Sequence, residues 1–274
     1  MTRCREGSRA EPLAGTAPRA RWWWLIEVPG PWGRLPLTSC RVPAVRHLAS
    51  DDTRRVLLVR RPGRHPARDP AAPLRLWVAG GMPGDPPIRS AVLDRPEDLL
   101  DWDPLHPPQE RLVPDPNAPA LLVCTNASRD PCCGLEGRAL VNALADPRVM
   151  ECSHLGGHRF APTALDPHRG LVYGRLDVPA ARTILDGGPV PVTYLRGRSA
   201  LPPAAQAAEA HLLELGVEVD PRHARVTNDG DDAIVELGAP SGERQLRMRA
   251  VSGAARPLSC GGEPEGCTSW QATA

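Results

Sequence analysis

Short apolar runs separated by proline- and glycine-rich turns recur along the chain, and they predict a protein rich in β-strands. The first clear run, residues 22–28, is aromatic and aliphatic and ends at Pro29, which cannot continue a strand ladder. Three tryptophans begin this run, and we interpret them as core and edge packing. Strands are predicted over residues 22–28, 55–61, 74–79 and 90–93, a short helix over 95–102, and a proline-rich linker over 103–118.

The middle of the chain has the order strand, helix, strand, β-hairpin and helix. These elements are predicted over residues 120–124, 135–145, 148–153, 163–175 and 179–186. That order is the order of a thioredoxin-like unit. The runs 22–28 and 55–61 echo strands 120–124 and 148–153, although the helix between the first pair is poorly marked. We therefore predict an α/β (α+β) fold in which a thioredoxin-like domain follows a second, degenerate thioredoxin-like unit.

The remaining third of the chain predicts a small α+β appendix. An alanine-rich run is typical of a helix, and Asn-Asp-Gly and Pro-Ser-Gly turns separate the apolar runs after it. The helix is predicted over 202–215 and the strands over 217–219, 224–227, 233–237 and 245–251. Residues 1–20 are predicted to be a flexible lead-in that the loop 12–17 could tie down, and residues 260–274 a loose tail. The predicted domains are residues 1–115, 116–198 and 199–274.

The amino-acid composition limits the kinds of chemistry and the classes of partner that are expected for this protein. All 33 basic residues are Arg, and the absence of Lys excludes a Schiff base and a phosphate-binding loop lysine. A net charge of +1 with interspersed charges gives no sign of a nucleic-acid or anionic membrane partner. Because we find neither a spanning apolar run nor a secretory signal, we predict a cytoplasmic protein. Eight cysteines in such a protein indicate metal or redox chemistry.

The candidate chemistry lies between residues 121 and 160. Cys124 ends one predicted strand, Cys132 and Cys133 follow in a loop, and His154 and His158 follow the next strand. Two soft ligands and two imidazoles favour a metal site with four ligands. Two glycines separate the histidines, which indicates a loop rather than the helix of a zinc protease.

These segments resemble the sucrase/ferredoxin-like family over roughly residues 4–190. The segments that carry the resemblance are CTNASRDPCCGLEGRAL (124–140), SHLGGHRFAPT (153–163), LVYGRL (171–176), PLAGTAPRA (12–20), EVPGPWG (27–33) and VRRPGRH (59–65). The resemblance implies a thioredoxin-like ferredoxin domain with a [2Fe–2S] cluster. It implies that Cys124, Cys133, His154 and His158 are the ligands. Because no convincing carboxylate pair is present, we expect no sucrase activity.

Three functions remain open from the sequence. The first is an electron carrier that exchanges electrons with a redox partner protein, since no flavin or nicotinamide motif is found. The second is a structural zinc site with two Cys and two His ligands. The third is thiol–disulfide exchange through Cys132 and Cys133, although a Cys-x-x-Cys motif is absent.

Several neighbouring residues receive weaker interpretations. Cys152 is expected to pack, Arg129 and Asp130 to fix the loop between the cysteines, and Arg159 to offset cluster charge. Cys260 and Cys267 could form a second metal or redox pair, but we favour the interpretation that this pair has no function. The residues without a readable signal are Cys4 and Cys40, and six histidines taken as surface residues: His47, His65, His106, His168, His211 and His223.

Overall fold

A computed structural model describes residues 3–48, 53–63, 69–103 and 107–273, which form one sheet of ten strands and one of four. The strands of the large sheet are β1 (Trp22–Glu27), β2 (Arg54–Arg60), β3 (Leu74–Gly80), β4 (Arg89–Leu93), β5 (Val113–Pro114), β6 (Leu121–Cys124), β7 (Val149–Cys152), β8 (Ala164–Asp166), β9 (Leu171–Tyr173) and β10 (Leu195–Arg198). The α-helices are α1 (Cys4–Gly7), α2 (Pro43–Arg46), α3 (Arg138–Leu144), α4 (Val178–Leu185) and α5 (Pro203–Glu214). The small sheet contains β11 (Asp220–Asp229), β12 (Asp232–Gly238), β13 (Arg244–Pro257) and β14 (Pro264–Thr273).

The second half of the large sheet has the predicted thioredoxin-like order. Strands β6 and β7 are parallel, and a helix ending in α3 connects them. Strand β8 runs antiparallel to β6, β9 to β8, and β10 to β9, with α4 between the last two. The predicted fold class, an α+β protein with a thioredoxin-like unit, is confirmed.

The first half of the sheet repeats this strand order. Strands β1 and β2 are parallel, β3 is antiparallel to β1, β4 to β3, and β5 to β4. The order across the sheet is β10-β9-β8-β6-β7-β2-β1-β3-β4-β5, so β7 and β2 meet at its centre. They pair antiparallel through Val59 with Cys152 and Arg60 with Glu151. This topology supports the internal repeat, and the short helix α2 explains why its helical signal is weak.

The alternation of side chains in β1 builds two cores at once. Trp24 and Ile26 belong to one apolar cluster, and Trp23 and Leu25 belong to another. Successive residues of a strand point to opposite faces of a sheet, so a run that is apolar at every position fits a strand covered on both sides. The tryptophans are therefore packing residues, as predicted.

Two segments contradict the predicted lack of order at the ends of the chain. Residues 3–20 contain α1, and Gly15 N–H and Ala20 N–H donate to the carbonyls of Arg196 and Ser199 at 2.9 and 2.8 Å. At the other end β14 pairs with β13 over most of its length. Both segments are locally polar, and order comes from backbone hydrogen bonds to distant strands, which local patterns do not reveal.

Smaller differences concern the elements between the two halves. The helix predicted over 95–102 is a 3-10 helix, Pro96–Asp101. The predicted linker 103–118 contains a 3-10 turn, Gln109–Arg111, and strand β5; its residues 104–106 lie outside the described residues. The three domain boundaries stay predictions.

The C-terminal region is the predicted α+β appendix. Helix α5 packs on the small sheet through Ala204, Ala208 and Leu212, against the sheet residues Val235 and Met248. The strands predicted at 217–219 and 224–227 are replaced by one strand, β11. Among the described residues, none of the helices combines the length and apolar character needed to cross a membrane.

Candidate metal centre

The first part of the site is the end of strand β6. Leu121, Leu122 and Val123 are completely buried, and they place Cys124 at the carboxyl end of the strand with no exposed surface. Strand β7 runs parallel to β6, with Cys152 opposite Cys124, so the residues after both strands emerge at the same edge of the sheet. Cys124 and His154 therefore meet because the two strands are parallel neighbours.

Close packing of the following helix brings Cys133 to Cys124. The helix opens with a π-helical turn, Cys133–Gly137, before α3. A Cβ atom on Gly137 would lie 2.1 Å from the Cys124 carbonyl oxygen, and one on Gly134 would lie 2.4 Å from the Ala127 Cβ. Only glycine permits this approach of helix and strand. Turns of π-helix are frequent at functional sites.

The histidines lie on a loop, as predicted from their two intervening glycines. Gly156 and Gly157 have φ angles of 80° and 69°, and His158 begins a 3-10 turn, His158–Phe160. The ring centroids of His154 and His158 lie 5.1 Å apart. The turn at the glycines therefore brings two imidazoles, four residues apart, to the same place.

The structure brings the predicted residues together. The possible ligand atoms of Cys124, Cys133 and His154 all lie within 4.8 Å of one another, and this group could hold a metal ion. His158 is next to His154 and is 8% exposed, with its Nε2 atom 3.8 Å from Asp130 Oδ2. Three of the four predicted residues form the compact group, and the fourth lies beside it.

Hydrogen bonds and burial set the protonation states of the site. The Cys133 thiol donates to Cys124, which lowers the pKa of Cys124 well below its ordinary value, and His154 adds to the effect. The same hydrogen bond raises the pKa of Cys133. Burial lowers the pKa of His158 to about 4, so its imidazole is neutral at pH 7. A thiolate and a neutral imidazole are the forms that bind metals.

Three buried imidazole nitrogens fit a group that the site could bind. His154 Nδ1, His158 Nδ1 and His158 Nε2 are buried and have no hydrogen-bond partner among the described residues. Buried polar atoms are normally paired, and exceptions call for an explanation such as a role in binding an ion. The donor set of two sulfurs and two imidazoles suits soft or borderline metals.

The structure separates the adjacent cysteines Cys132 and Cys133. The Cys133 sulfur belongs to the Cys124 group, whereas the Cys132 sulfur belongs to another group that also contains Cys4. Cys152 is completely buried in an apolar cluster that also contains Cys124 and Cys133, but it belongs to neither group of possible metal ligands, and burial raises its pKa. Its position agrees with the packing role expected for it.

The loop between the cysteines depends on Asp130, as expected. Its Oδ1 atom accepts from Cys132 N–H at 2.8 Å, and the Asp130 side chain is almost completely buried. Burial alone would raise the pKa of Asp130, but backbone N–H groups of Cys260 and Cys132 donate to it and lower the pKa overall. Arg129 contributes through its backbone, which donates to the Asn126 side chain at 3.3 Å.

Arg196 is the site residue that the sequence did not reveal. Its guanidinium is buried and donates to the Gly156 carbonyl at 2.9 Å and to Thr16 Oγ1 at 3.1 Å. Burial lowers the pKa of Arg196, and the nearby Cys133 and Cys124 favour its charged form. Arg159, which was expected to offset cluster charge, instead pairs with Glu11 at 2.7 Å. Arg196 is therefore a buried cation beside the candidate site.

The histidines outside the site were predicted to lie at the surface. His47, His168 and His223 are exposed, as expected, while His211 is partly buried. His65 and His106 lie outside the described residues.

Comparison with known families agrees with the resemblance of the sequence motifs. The family model described as Sucrase/ferredoxin-like matches residues 14–196, which is more than half of the 274-residue chain. The chain therefore belongs to the sucrase/ferredoxin-like family. The matched region contains Cys124, Cys133, His154, His158 and Arg196. No curated protein and no solved structure matches the chain significantly.

Proposed function

We propose that this member of the sucrase/ferredoxin-like family is an electron-transfer protein with a [2Fe–2S] cluster bound by Cys124, Cys133, His154 and His158. The observation that carries the proposal is the set of three unpartnered, buried imidazole nitrogens beside a buried pair of thiols. A metal would use lone pairs that otherwise remain buried without a partner.

The donor set agrees with the cluster. Thiolates suit one iron of a [2Fe–2S] centre, and two imidazoles can replace two thiolates on the other iron. The cluster, when bound, supplies reversible one-electron chemistry. The chain's part is to supply Cys124 as a ready thiolate, whose sulfur also accepts a hydrogen bond from the Leu155 N–H group. The buried Arg196 would offset the negative charge that two thiolates and sulfides bring.

A proton can accompany the electron through the histidines. His158 Nε2 lies 3.8 Å from Asp130 Oδ2, and the negative charge of this carboxylate favours the protonated form of His158. His154 is partly exposed and can exchange a proton with solvent. We propose that a ring nitrogen not bound to metal couples proton and electron transfer; a reduction potential independent of pH near neutrality would contradict this coupling.

The donor and the acceptor of the electron are proposed to be other proteins. The sequence offers no flavin or nicotinamide motif that would let the chain receive electrons from a bound organic cofactor. Next to Cys133, Leu135 is 51% exposed, so the helix that carries the cysteine reaches the surface near the site. A partner that contacts this surface would come close to the thiol pair.

One other function keeps support from a specific distance. The ligand atoms of Cys124, Cys133 and His154 lie within 4.8 Å of one another, which also suits a single zinc ion. Thiol–disulfide exchange between Cys132 and Cys133 has no such support, because their sulfurs belong to different groups.

The experiment is to purify the protein without air and to record visible absorption and the EPR spectrum after reduction. Iron, zinc and acid-labile sulfide are measured on the same sample. We expect a red-brown protein with about two irons and two sulfides per chain, both lost in Cys124→Ser. The His154→Cys variant should keep the cluster and change its spectra. A colourless protein whose zinc content falls in Cys124→Ser would overturn the proposal in favour of zinc.

A further inference from the structure

A second group of cysteines lies beside the candidate centre and is drawn from three distant parts of the chain. Cys4 lies in α1, Cys132 precedes Cys133, and Cys260 lies in the turn between β13 and β14. Their sulfurs form a triangle with sides of 3.7 Å (Cys4–Cys132), 3.4 Å (Cys132–Cys260) and 3.5 Å (Cys4–Cys260). Three thiols from such distant positions are brought to one point by the fold.

Asp130 completes this group. Its two oxygens lie 3.8 and 3.9 Å from the Cys4 sulfur, and the ligand atoms of all four residues lie within 4.8 Å of one another. Its carboxylate also accepts N–H bonds from Cys132 and Cys260, each at 2.8 Å. Each carboxylate oxygen has a further lone pair, so these bonds orient Asp130 without exhausting it.

The size of the sulfur triangle matches one tetrahedral cation. Zinc binds thiolate sulfur at about 2.3 Å, so two sulfurs on the same tetrahedral zinc lie about 3.8 Å apart. A disulfide would need one pair at about 2.05 Å and would leave the third sulfur without a role. In this structure the three sides are nearly equal, which fits three ligands of one ion better than a disulfide and a spectator.

Simple packing of cysteines is a poorer explanation. Buried cysteines often behave as small apolar residues, but among the described residues this cluster consists of Cys4, Cys132 and Ala161, with Cys260 packed against them. The carboxylate of Asp130 is 1% exposed in the same place. A buried carboxylate does not belong to purely apolar packing, and the two N–H bonds that Asp130 accepts leave further lone pairs that a cation could use. Burial raises the pKa of the Cys132 thiol to about 11, and the backbone N–H group of Arg5, which donates to its sulfur, opposes that shift.

We infer that Cys4, Cys132, Cys260 and Asp130 bind one zinc ion in a second, structural site. The site is closed, with four protein ligands, and it joins α1, the loop before Cys133 and the β13–β14 turn. Cys4 and Cys260 both lie outside the residues 14–196 that match the family. The inference does not depend on the [2Fe–2S] proposal, because the two sites have no ligand in common.

The position of this zinc site predicts its effect on the first site. Cys132 is adjacent in sequence to Cys133, and Asp130 lies 3.8 Å from His158 Nε2. Zinc would therefore fix the loop that carries Cys133 and hold the β13–β14 turn against it. We expect the first site to lose its metal faster to a chelator when zinc is absent.

The test is metal analysis of the full chain with matched variants. The parent protein should contain about one zinc per chain in addition to its iron. Cys4→Ser and Cys260→Ser should lose most of the zinc and keep iron and sulfide. The controls Cys40→Ser and Cys267→Ser should keep all three, since neither residue belongs to the sulfur triangle. Cys124→Ser should lose iron and keep zinc.

A measurement on the parent protein covers the case in which the variants fail to fold. Rapid alkylation followed by mass spectrometry should find Cys4, Cys132 and Cys260 protected until a chelator removes zinc. Cobalt substituted for zinc should show a tetrahedral spectrum with thiolate charge transfer.

A protein that holds iron but no zinc and alkylates readily at these residues would overturn the second site alone. A disulfide between any two of them would also overturn it, as would loss of iron with zinc retained in Cys4→Ser. Zinc without iron would overturn the cluster alone.

Discussion

The two halves of the ten-stranded sheet share a strand order but differ at the ends of their central strands. In the second half, β6 ends at Cys124 and β7 is followed by His154. In the first half, Pro29 follows β1 closely, and Arg60, at the end of β2, stacks over Trp32 at 4.2 Å from its ring centroid. The same frame thus carries a candidate metal centre in one half and a packed cation and aromatic ring in the other.

The helix that follows the first strand also differs between the two halves. The second half has a π-helical turn and α3 behind its strands; Gly137 lets the turn approach β6, and Gly134 lets it approach the loop after β6 at Ala127. The first half has the four-residue helix α2 in that part of the chain, and the nearby Cys40 is buried in an apolar cluster. The candidate metal centre therefore depends on residues at strand ends and on the close approach of a helix, and the strand order of the sheet alone does not create it.

The first half nevertheless serves the second by covering its edge. Strand β2 pairs with β7, so β7 does not present unpaired backbone groups at a sheet edge. An ion pair also joins the two strands, since Arg60 Nε donates to Glu151 Oε2 at 2.7 Å. Glu151 Oε2 further accepts from Thr125 Oγ1, at 2.9 Å, in the residue after Cys124. The junction is thus connected to the site by hydrogen bonds.

The largest expected effect comes from breaking this junction with Arg60→Leu. Both partners are nearly buried, with side-chain exposures of 11% and 8%. Removing Arg60 leaves the Glu151 carboxylate buried without its cation, which should reduce the free energy of unfolding by about 3–5 kcal/mol. Urea unfolding measures the change. The exposed neighbour gives the control Arg61→Leu, which should stay within about 0.5 kcal/mol.

A double variant distinguishes an unpaired charge from lost packing. Arg60→Leu combined with Glu151→Leu should recover much of the loss, because no buried charge remains. A double variant as unstable as the sum of the single variants would show that the ion pair is not what joins the halves.

The next effect tests the close approach of helix and strand that only the second half has. Gly137→Ala places a Cβ where the Cys124 carbonyl oxygen lies 2.1 Å away, so strand or helix must move. Such overpacking costs about 1–3 kcal/mol and should lower the metal content of the purified protein. Gly7→Ala is the control, because a Cβ there meets nothing within 4 Å. Equal metal content and stability in both variants would argue against a required close approach.

Local sequence patterns were sufficient to predict some of the features compared above. Strands β1, β2, β6 and β7 are predicted within about two residues, because each is an apolar run between turn residues. The two glycines between His154 and His158 correctly predicted a loop. These features are local, and they place the candidate ligands at strand ends without any knowledge of tertiary contacts.

The sequence did not reveal contacts between distant segments. Arg196 is one of 33 basic residues, and only the fold places it against Thr16 and Gly156. Strand β14 lacks a regular apolar alternation and is ordered by its ladder with β13. Cys4 had no readable signal, and Cys260 was considered only together with Cys267, for the same reason: 256 positions separate the sulfurs of Cys4 and Cys260, which lie 3.5 Å apart.

A smaller effect is expected from removing one of two arginines. Arg159 is the cation that the sequence suggested for the site, and Arg196 is the one that lies beside the site in the structure. Arg196→Met should speed metal loss to a chelator by about 10–100-fold, because Arg196 holds the Gly156 carbonyl in the histidine loop. Arg159→Met should have much less effect, because Arg159 is engaged by Glu11. Stopped-flow absorbance with a chromogenic chelator measures both rates. The reverse order of the two rates would restore Arg159 as the residue that supports the site.

The smallest expected effect tests whether two cysteines that face each other across neighbouring strands have different roles, one as a ligand and the other as a packing residue. Cys124 and Cys152 are paired across β6 and β7, and both are completely buried. Cys152 lies among apolar side chains of the core, so Cys152→Ala should cost only about 1 kcal/mol, from the small cavity that it leaves. Iron and sulfide content should not change, whereas Cys124→Ala should lose both. Loss of iron in Cys152→Ala at unchanged stability would mean that its sulfur takes part in the centre. Cys124 and Cys152 would then differ only in their distance from the metal, and Cys152 could no longer be described as a residue that merely packs in the core.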